Sequence, residues 1–465
     1  FCFHCLIKNS ILLFYFDPKM NNEGFVNIAS VFTDKNERTI EKLKEIYLDH
    51  QRMVEKISSL TSEYITEENL KGKKILLKPN WVRHSVKPAD ELCLKTNDNF
   101  ILAALEVVLS KSPASVVIGD APVQGCRWEK MISEKFIERV ENLSNKYKIP
   151  VTLKDFRRVV FYAKDNRSIT NRKPLDEYII FDVAEKSYLE PITSSEKNLF
   201  RVTQYNPDRF TESHKKGMHK YCITKELFKA DVVISLPKVK THQKAGITAA
   251  LKNLVGVNGD KDFLPHHRLG GTGMGGDCYP GKNYLRYTAE VLQDNANRRL
   301  GKKSYKFWVR MSAMIWRFSL PRSTDHLAAG WYGNDTTWRM VMDLNTIVNF
   351  GKEDGTISDK PQRILYSLCD GIIGGEGDGP LKPDPLNLGV ICFSNDSART
   401  DICMASMMGM DVSKIPLLVA AKSFMSDRKI SIRYNGSAVS LEDLKKDSVK
   451  SVPPPGWVNY LKVSD

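Results

Sequence analysis

The sequence predicts an α/β fold: a mostly parallel sheet flanked by helices, with an inserted α+β cap region. Three observations predict it. Runs of strand length at 73–79, 115–118 and 231–236 have apolar centres without helical periodicity, as strands covered on both faces do. A helical pattern over 99–109 lies between the first two and makes a βαβ unit, hence a right-handed crossover. Each run then opens into polar residues: Asn80 to His84, Gly119-Asp120, and Lys238 to His242. Ligands of parallel sheets bind beyond the carboxyl ends of the strands, so these residues face one expected crevice.

The 465 residues are too many for one small core, and 42% hydrophobic with 27% charged residues is ordinary for a globular chain. No apolar run reaches the roughly 18 residues of a membrane span. The formal charge of +14, from 69 basic against 55 acidic residues, favours anionic partners. Nucleic acid is disfavoured, because no zinc finger, RNA-binding motif or long basic tail accompanies the charge. Nine scattered cysteines point to a reducing, cytoplasmic compartment. Cys2 and Cys5 form one C-x-x-C without the second pair that a metal site needs.

Along the chain, residues 1–19 read as a leader ahead of Met20. Residues 20–69 form an N-terminal helical segment, with Ile40, Leu43, Ile46 and Tyr47 on one stripe. The α/β domain is expected over 70–430. Its insertion at about 126–220 combines a helix near 129–146 with strand-like runs at 151–153, 178–183 and 200–203. After the strand at 231–236 a loop leads into an Ala-rich helix over 246–254. A basic helical region follows at about 283–350. Within it, 297–322 carries Arg298, Arg299, Lys302, Lys303, Lys306, Arg310, Arg317 and Arg322 without an acid, interleaved with Phe307, Trp308, Met311, Met314, Ile315 and Trp316. That amphipathic stretch either docks on an anionic membrane surface, holds a phosphorylated or lipid-linked substrate, or packs its aromatic face on the core. The domain closes with strands at 363–368 and 388–394 and a helix at 398–408, before a C-terminal tail over 431–465.

The strongest candidate site lies between residues 225 and 268. Lys238, Lys240 and His242 leave a buried strand together, attracting an anion and supplying a proton carrier. Lys252 and Asn253 sit in an otherwise apolar helix, where the lysine either serves the site or snorkels to solvent. His266, His267 and Arg268 precede a Gly-rich stretch. The histidines match no local zinc spacing, so no metal is assigned. Lys78, Asn80, Arg83 and Asp120 come from the first two strand ends, although Asn80 and Asp120 also suit plain turn or cap bonds. Glu376 and Asp378 stand among the glycines of 371–379, expected to be a site loop whose backbone can approach a ligand. In 331–339, Asn334 or Asp335 suits a helix N-cap, with Arg339 placed to pair with Asp335 or Asp343. No G-x-S-x-G, kinase or zincin pattern is present.

Lys78-Pro79-Asn80, Pro237 to His242, Leu251 to Gly256, Asp370 to Pro380 and Asp396 to Asp401 together resemble the family catalogued as domain of unknown function 362. The resemblance covers about residues 70 to 412. Many members carry a ferredoxin-like insertion; this chain lacks those cysteines, so an intrinsic iron-sulfur cluster is disfavoured and no cofactor is assigned. A fainter likeness joins the family to the nickel-pincer lactate racemases. It places His242, Lys252 and His266 or His267 in a similar order and sets Arg83 after the first strand. Ala249-Ala250-Leu251-Lys252 replaces their Gly-Gly-Arg-Lys element, so the likeness does not extend to the nickel group.

The resulting expectation is an enzyme for a small anionic substrate. Lysines and Arg83 would hold carboxylate or phosphate, and His242, Lys252, His266 or His267 would carry the catalysis, by proton transfer or cofactor-assisted redox chemistry. The alternative is a non-catalytic anion or lipid-headgroup binding protein.

Overall fold

The computed structural model describes residues 24–164, 167–203, 205–319, 329–424 and 430–461. The expected leader, with Cys2 and Cys5, lies outside them. The sheet strands are β1 (Gly24–Ser30), β2 (Lys74–Pro79), β3 (Ser115–Asp120), β4 (Val151–Asp155), β5 (Val232–Leu236), β6 (Lys238–His242), β7 (Gly246–Thr248), β8 (Ile364–Asp378), β9 (Lys382–Leu386), β10 (Val390–Ser394), β11 (Ile430–Tyr434) and β12 (Ser437–Ala438). The main path runs β12-β11-β1-β10-β8-β5-β2-β3-β4, with β6, β7 and β9 attached beside β8. Its centre, β8-β5-β2-β3-β4, is parallel, whereas β10 is antiparallel to both β1 and β8.

Alternation along the strands makes three layers. Ile75 and Leu77 of β2, with Val116 and Ile118 of β3, pack on one side. They meet α1 (Ile40–Leu48), α2 (His50–Thr61), α3 (Asp98–Leu109) and α4 (Glu134–Tyr147) through Leu43, Met53, Phe100 and Phe136. Leu76 and Val233 face the other way. There they meet α8 (Thr337–Phe350), α9 (Ser397–Met407) and α10 (Pro416–Phe424) through Leu344, Ile347, Met404 and Leu417. Between those layers in the chain lie the short α5 (Ala250–Asn253) and the hairpin of α6 (Tyr284–Asn297) and α7 (Tyr305–Ser319). No described helix is long and apolar enough to cross a membrane.

Several sequence expectations differ from this arrangement for physical reasons. The 20–69 segment contains β1, whose partners β10 and β11 lie more than 300 residues away, so its pairing leaves no local pattern. The segment's helical part is broken at Asp49, whose carboxylate accepts from Arg52 N and starts a second helix. Within the stretch read as a cap, Val151–Asp155 joins the main sheet beside β3. What remains is a separate sheet of Tyr178–Asp182, Met218–Thr224 and His214–Lys215, plus two-strand pairs of Val159–Lys164 with Arg167–Arg172 and of Phe200–Arg201 with His267–Arg268. The 246–254 helix shrinks to α5, because β6 and β7 form a hairpin first. The tail is held: β11 and β12 extend the sheet, Trp457 is buried, and Val452 N donates to Glu376 Oε2 at 2.8 Å.

Candidate functional site

β8 is 15 residues long and outruns its neighbours. Its first half pairs with β5 and its second half with β6, so the Pro237 break lets the chain continue as a second strand above the carboxyl edge. The stretch 371–379 is therefore largely strand rather than a ligand loop. Gly375 is needed for close approach: a Cβ there would lie 2.7 Å from Lys240 Cβ and 3.0 Å from Cys93 O. Glu376 accepts from Val452 N, and Asp378 accepts from the Gln243 amide. Both carboxylates are engaged by the fold.

Under β6 and α5 lies a polar knot in which Asn80 Oδ1 is left without a hydrogen-bond partner. Lys78 Nζ donates to Asp120 Oδ1 at 2.8 Å, and Asp120 also accepts from Trp81 N at 2.7 Å and Ala121 N at 2.9 Å. Asn253 donates to Lys78 O and Ser235 Oγ and accepts from Asn80 Nδ2 at 3.2 Å. Gly256 closes over it, since a Cβ would sit 1.8 Å from Asp120 Oδ1. Asp401, on α9, accepts from Ala250 N at 2.6 Å and fixes the start of α5. The four site candidates Lys78, Asn80, Asp120 and Asn253 thus converge, but they spend their hydrogen bonds on one another.

Lys238 is likewise internal. Its ammonium, fully buried, reaches Asp370 Oδ2 and Tyr47 OH, each at 2.9 Å. Arg83 latches onto Leu381 O at 2.7 Å and Asp90 at 3.3 Å, and Arg268 onto Gly275 O at 3.0 Å, so neither guanidinium points freely into a crevice. The N-cap position of α8 is Thr336 rather than Asn334 or Asp335, although Asn334 accepts from Thr337 N at 2.8 Å, and Arg339 pairs with Asp335.

The remaining candidates face one another. Lys240, Lys244, Lys252 and Lys261 form a cationic cluster with His242, His266 and His267. Burial, reinforced by neighbouring ammonium groups, pushes Lys252 down to about 7, and burial does the same to Lys240, while Lys244 and Lys261 fall to about 8. Lys240 Nζ donates to Leu94 O, Lys261 Nζ to Ala121 O at 3.0 Å, and Lys244 Nζ lies 3.3 Å from His267 Nδ1. Among the described residues none of these lysines forms an ion pair, and Asp120, the carboxylate that reaches toward them, is held by Lys78. Lys244 and Lys261 were not singled out from the sequence. Their signal is that a hairpin and a short helical turn bring them opposite Lys252, which local spacing does not encode.

The histidines are poised as complementary neutral tautomers. His242 Nδ1 accepts from Lys244 N at 3.0 Å and Ala245 N at 3.2 Å, which leaves the proton on Nε2. His266 Nδ1 lies 2.7 Å from Leu264 O, an acceptor, so this ring carries its proton on Nδ1 and presents a bare Nε2. Burial and then the Lys252 charge hold both rings well below the usual imidazole value. No three His, Cys, Asp or Glu side chains gather as a metal cluster among the described residues. The seven described cysteines are buried free thiols.

Fold and site together define an α/β protein with a cationic, histidine-lined cluster at the carboxyl edge of its parallel strands. The chain belongs to the family described as Domain of unknown function (DUF362), whose model matches residues 75–406. A "Thylakoid-associated protein sll1697" from Synechocystis is 24% identical over 221 residues, which are 48% of this chain and 44% of that protein. The chain therefore spans less than half of that relative in the matched region. A crystal structure of a Thermotoga maritima protein matches 73% of this chain and 56% of its own, at 9% identity and a TM-score of 0.30, too remote to carry an argument.

Proposed function

We propose that this chain is an enzyme that takes a small carboxylate or phosphate anion against Lys240, Lys244, Lys252 and Lys261 and moves a proton on it. The observation that carries this reading is the imbalance of charge: buried Lys240 and half-buried Lys244, Lys252 and Lys261 stand together without an ion pair among the described residues. A bound anion supplies the missing charge and raises their pKa values. The histidine tautomers favour proton transfer over redox chemistry. His266 Nε2 takes a proton from the carbon beside the substrate carbonyl and becomes an imidazolium, the lysines and the His242 Nε2–H donate hydrogen bonds to the resulting enolate oxygen, and His266 returns the proton to the carbon. Seven buried free thiols fit a reducing, cytoplasmic setting.

Anaerobic purification followed by mass spectrometry of co-purifying small molecules identifies candidate substrates. In D2O the wild type is expected to exchange the hydrogen next to the carbonyl of that compound, and His266→Gln to lose the exchange. If His242→Ala and Lys252→Ala left both affinity and exchange unchanged, the chain would not work at this site. Binding that survives without exchange in the wild type would leave a non-catalytic anion binder.

A further inference from the structure

We infer that the α6–α7 hairpin is a docking surface for an anionic lipid bilayer, carried on an apolar ridge along α7. The two helices run antiparallel: Ser312 Oγ donates to Ala289 O at 2.7 Å, Arg299 lies 4.9 Å from the Trp308 ring and Arg286 5.7 Å from the Trp316 ring. Those contacts use one side of α7. Phe307, Met311, Met314 and Phe318, spaced by four, three and four residues, share a different face. On it Phe318 is 79%, Phe307 57% and Met314 47% exposed, and Tyr284 and Leu285 at the adjacent end of α6 are exposed as well. The aromatic face is thus not wholly spent on the core.

Charge identifies the occupant. Lys303, Lys306, Arg310 and Arg317 project beside the ridge, all are exposed, and none forms an ion pair among the described residues. The sequence from 295 to 319 contains no Asp or Glu. Phenylalanines flanked by basic residues on a convex helix suit the headgroup boundary of an anionic leaflet, with the helix lying in the plane. At 15 residues α7 is too short to span. Pairing with a second copy would bring two basic faces together. The hairpin also joins the site wall: Glu290 accepts from Gly270 N at 2.7 Å, and Asp294 holds Arg201, which pairs with His267, at 2.9 Å.

The test is co-sedimentation of the full chain with phosphatidylcholine vesicles, with and without about 30% phosphatidylserine. The expected result is pelleting with the anionic vesicles alone, weakened by salt. Phe307→Ser with Phe318→Ser, and separately Lys303→Gln with Lys306→Gln and Arg310→Gln, should each weaken binding by about tenfold or more, with an unchanged melting temperature and an unchanged response to sulfate. A wild-type chain that stays in the supernatant overturns the inference. So do aromatic variants that pellet like the wild type, or a lipid-independent dimer that those variants dissolve.

Discussion

Two sets of lysines, one buried and one buried only at Lys240, gather at the carboxyl edge of the sheet, and they differ in what faces them. Lys78 and Lys238 each meet a carboxylate, Asp120 at 2.8 Å and Asp370 at 2.9 Å, inside closed hydrogen-bond networks. Lys240, Lys244, Lys252 and Lys261 meet carbonyl oxygens, imidazoles and one another. Lys238 and Lys240 are two residues apart in one strand, yet they belong to different sets. The proposed function rests on this difference: a paired charge is compensated within the fold, whereas an unpaired, partly desolvated one is open to an anionic ligand.

The comparison can be broken first at its paired end. Asp370→Asn strands the Lys238 ammonium in the interior and should cost about 3–5 kcal/mol in urea unfolding. A loss under about 1 kcal/mol would mean that the pair is not what holds β6 on β8. Gly256→Ala forces a Cβ against Asp120 and should cost about 1–3 kcal/mol, displacing α5 and with it Lys252.

The unpaired end should respond in the opposite direction. Lys252→Met removes an uncompensated charge, so the ligand-free chain is expected to gain about 1 kcal/mol while its thermal stabilisation by sulfate or oxalate disappears. Loss of stability without loss of the sulfate response would place Lys252 in the structural set.

The comparison can also be tested by pH. Lys240 and Lys252 near 7 lie below their ordinary 10.5, so above pH 7 the unfolded chain holds protons that the folded chain has released. Stability of the ligand-free protein should therefore rise between about pH 7 and 8.5, before the thiols of the unfolded chain begin to titrate. Anion affinity runs the other way, falling over the same interval as the lysines lose charge. Melting curves with and without sulfate read both slopes.

The parallel core was legible in the sequence because β2, α3 and β3 follow one another and β5 carries its own apolar run. β1, β11 and β12 were not, since edge pairing between the chain's two ends has no local signature. At the site, His242, Lys252 and His266 were legible as chemistry-bearing residues in apolar surroundings. The same reasoning over-reached at Lys238, Asp120 and Glu376: residue type announces a charge, but the partner that neutralises it arrives through tertiary folding. It also missed Lys244 and Lys261, whose importance is that no such partner arrives.

Proton uptake on anion binding tests this division most directly. Sulfate holds its charge near neutrality, so calorimetric titration at pH 8 in two buffers of different ionisation enthalpy counts the protons taken up by the protein. Lysines lowered to about 7 and 8 predict net uptake that is reduced by about half in Lys252→Met with Lys244→Met, since Lys240 and Lys261 remain. Sulfate binding without proton uptake would contradict the account.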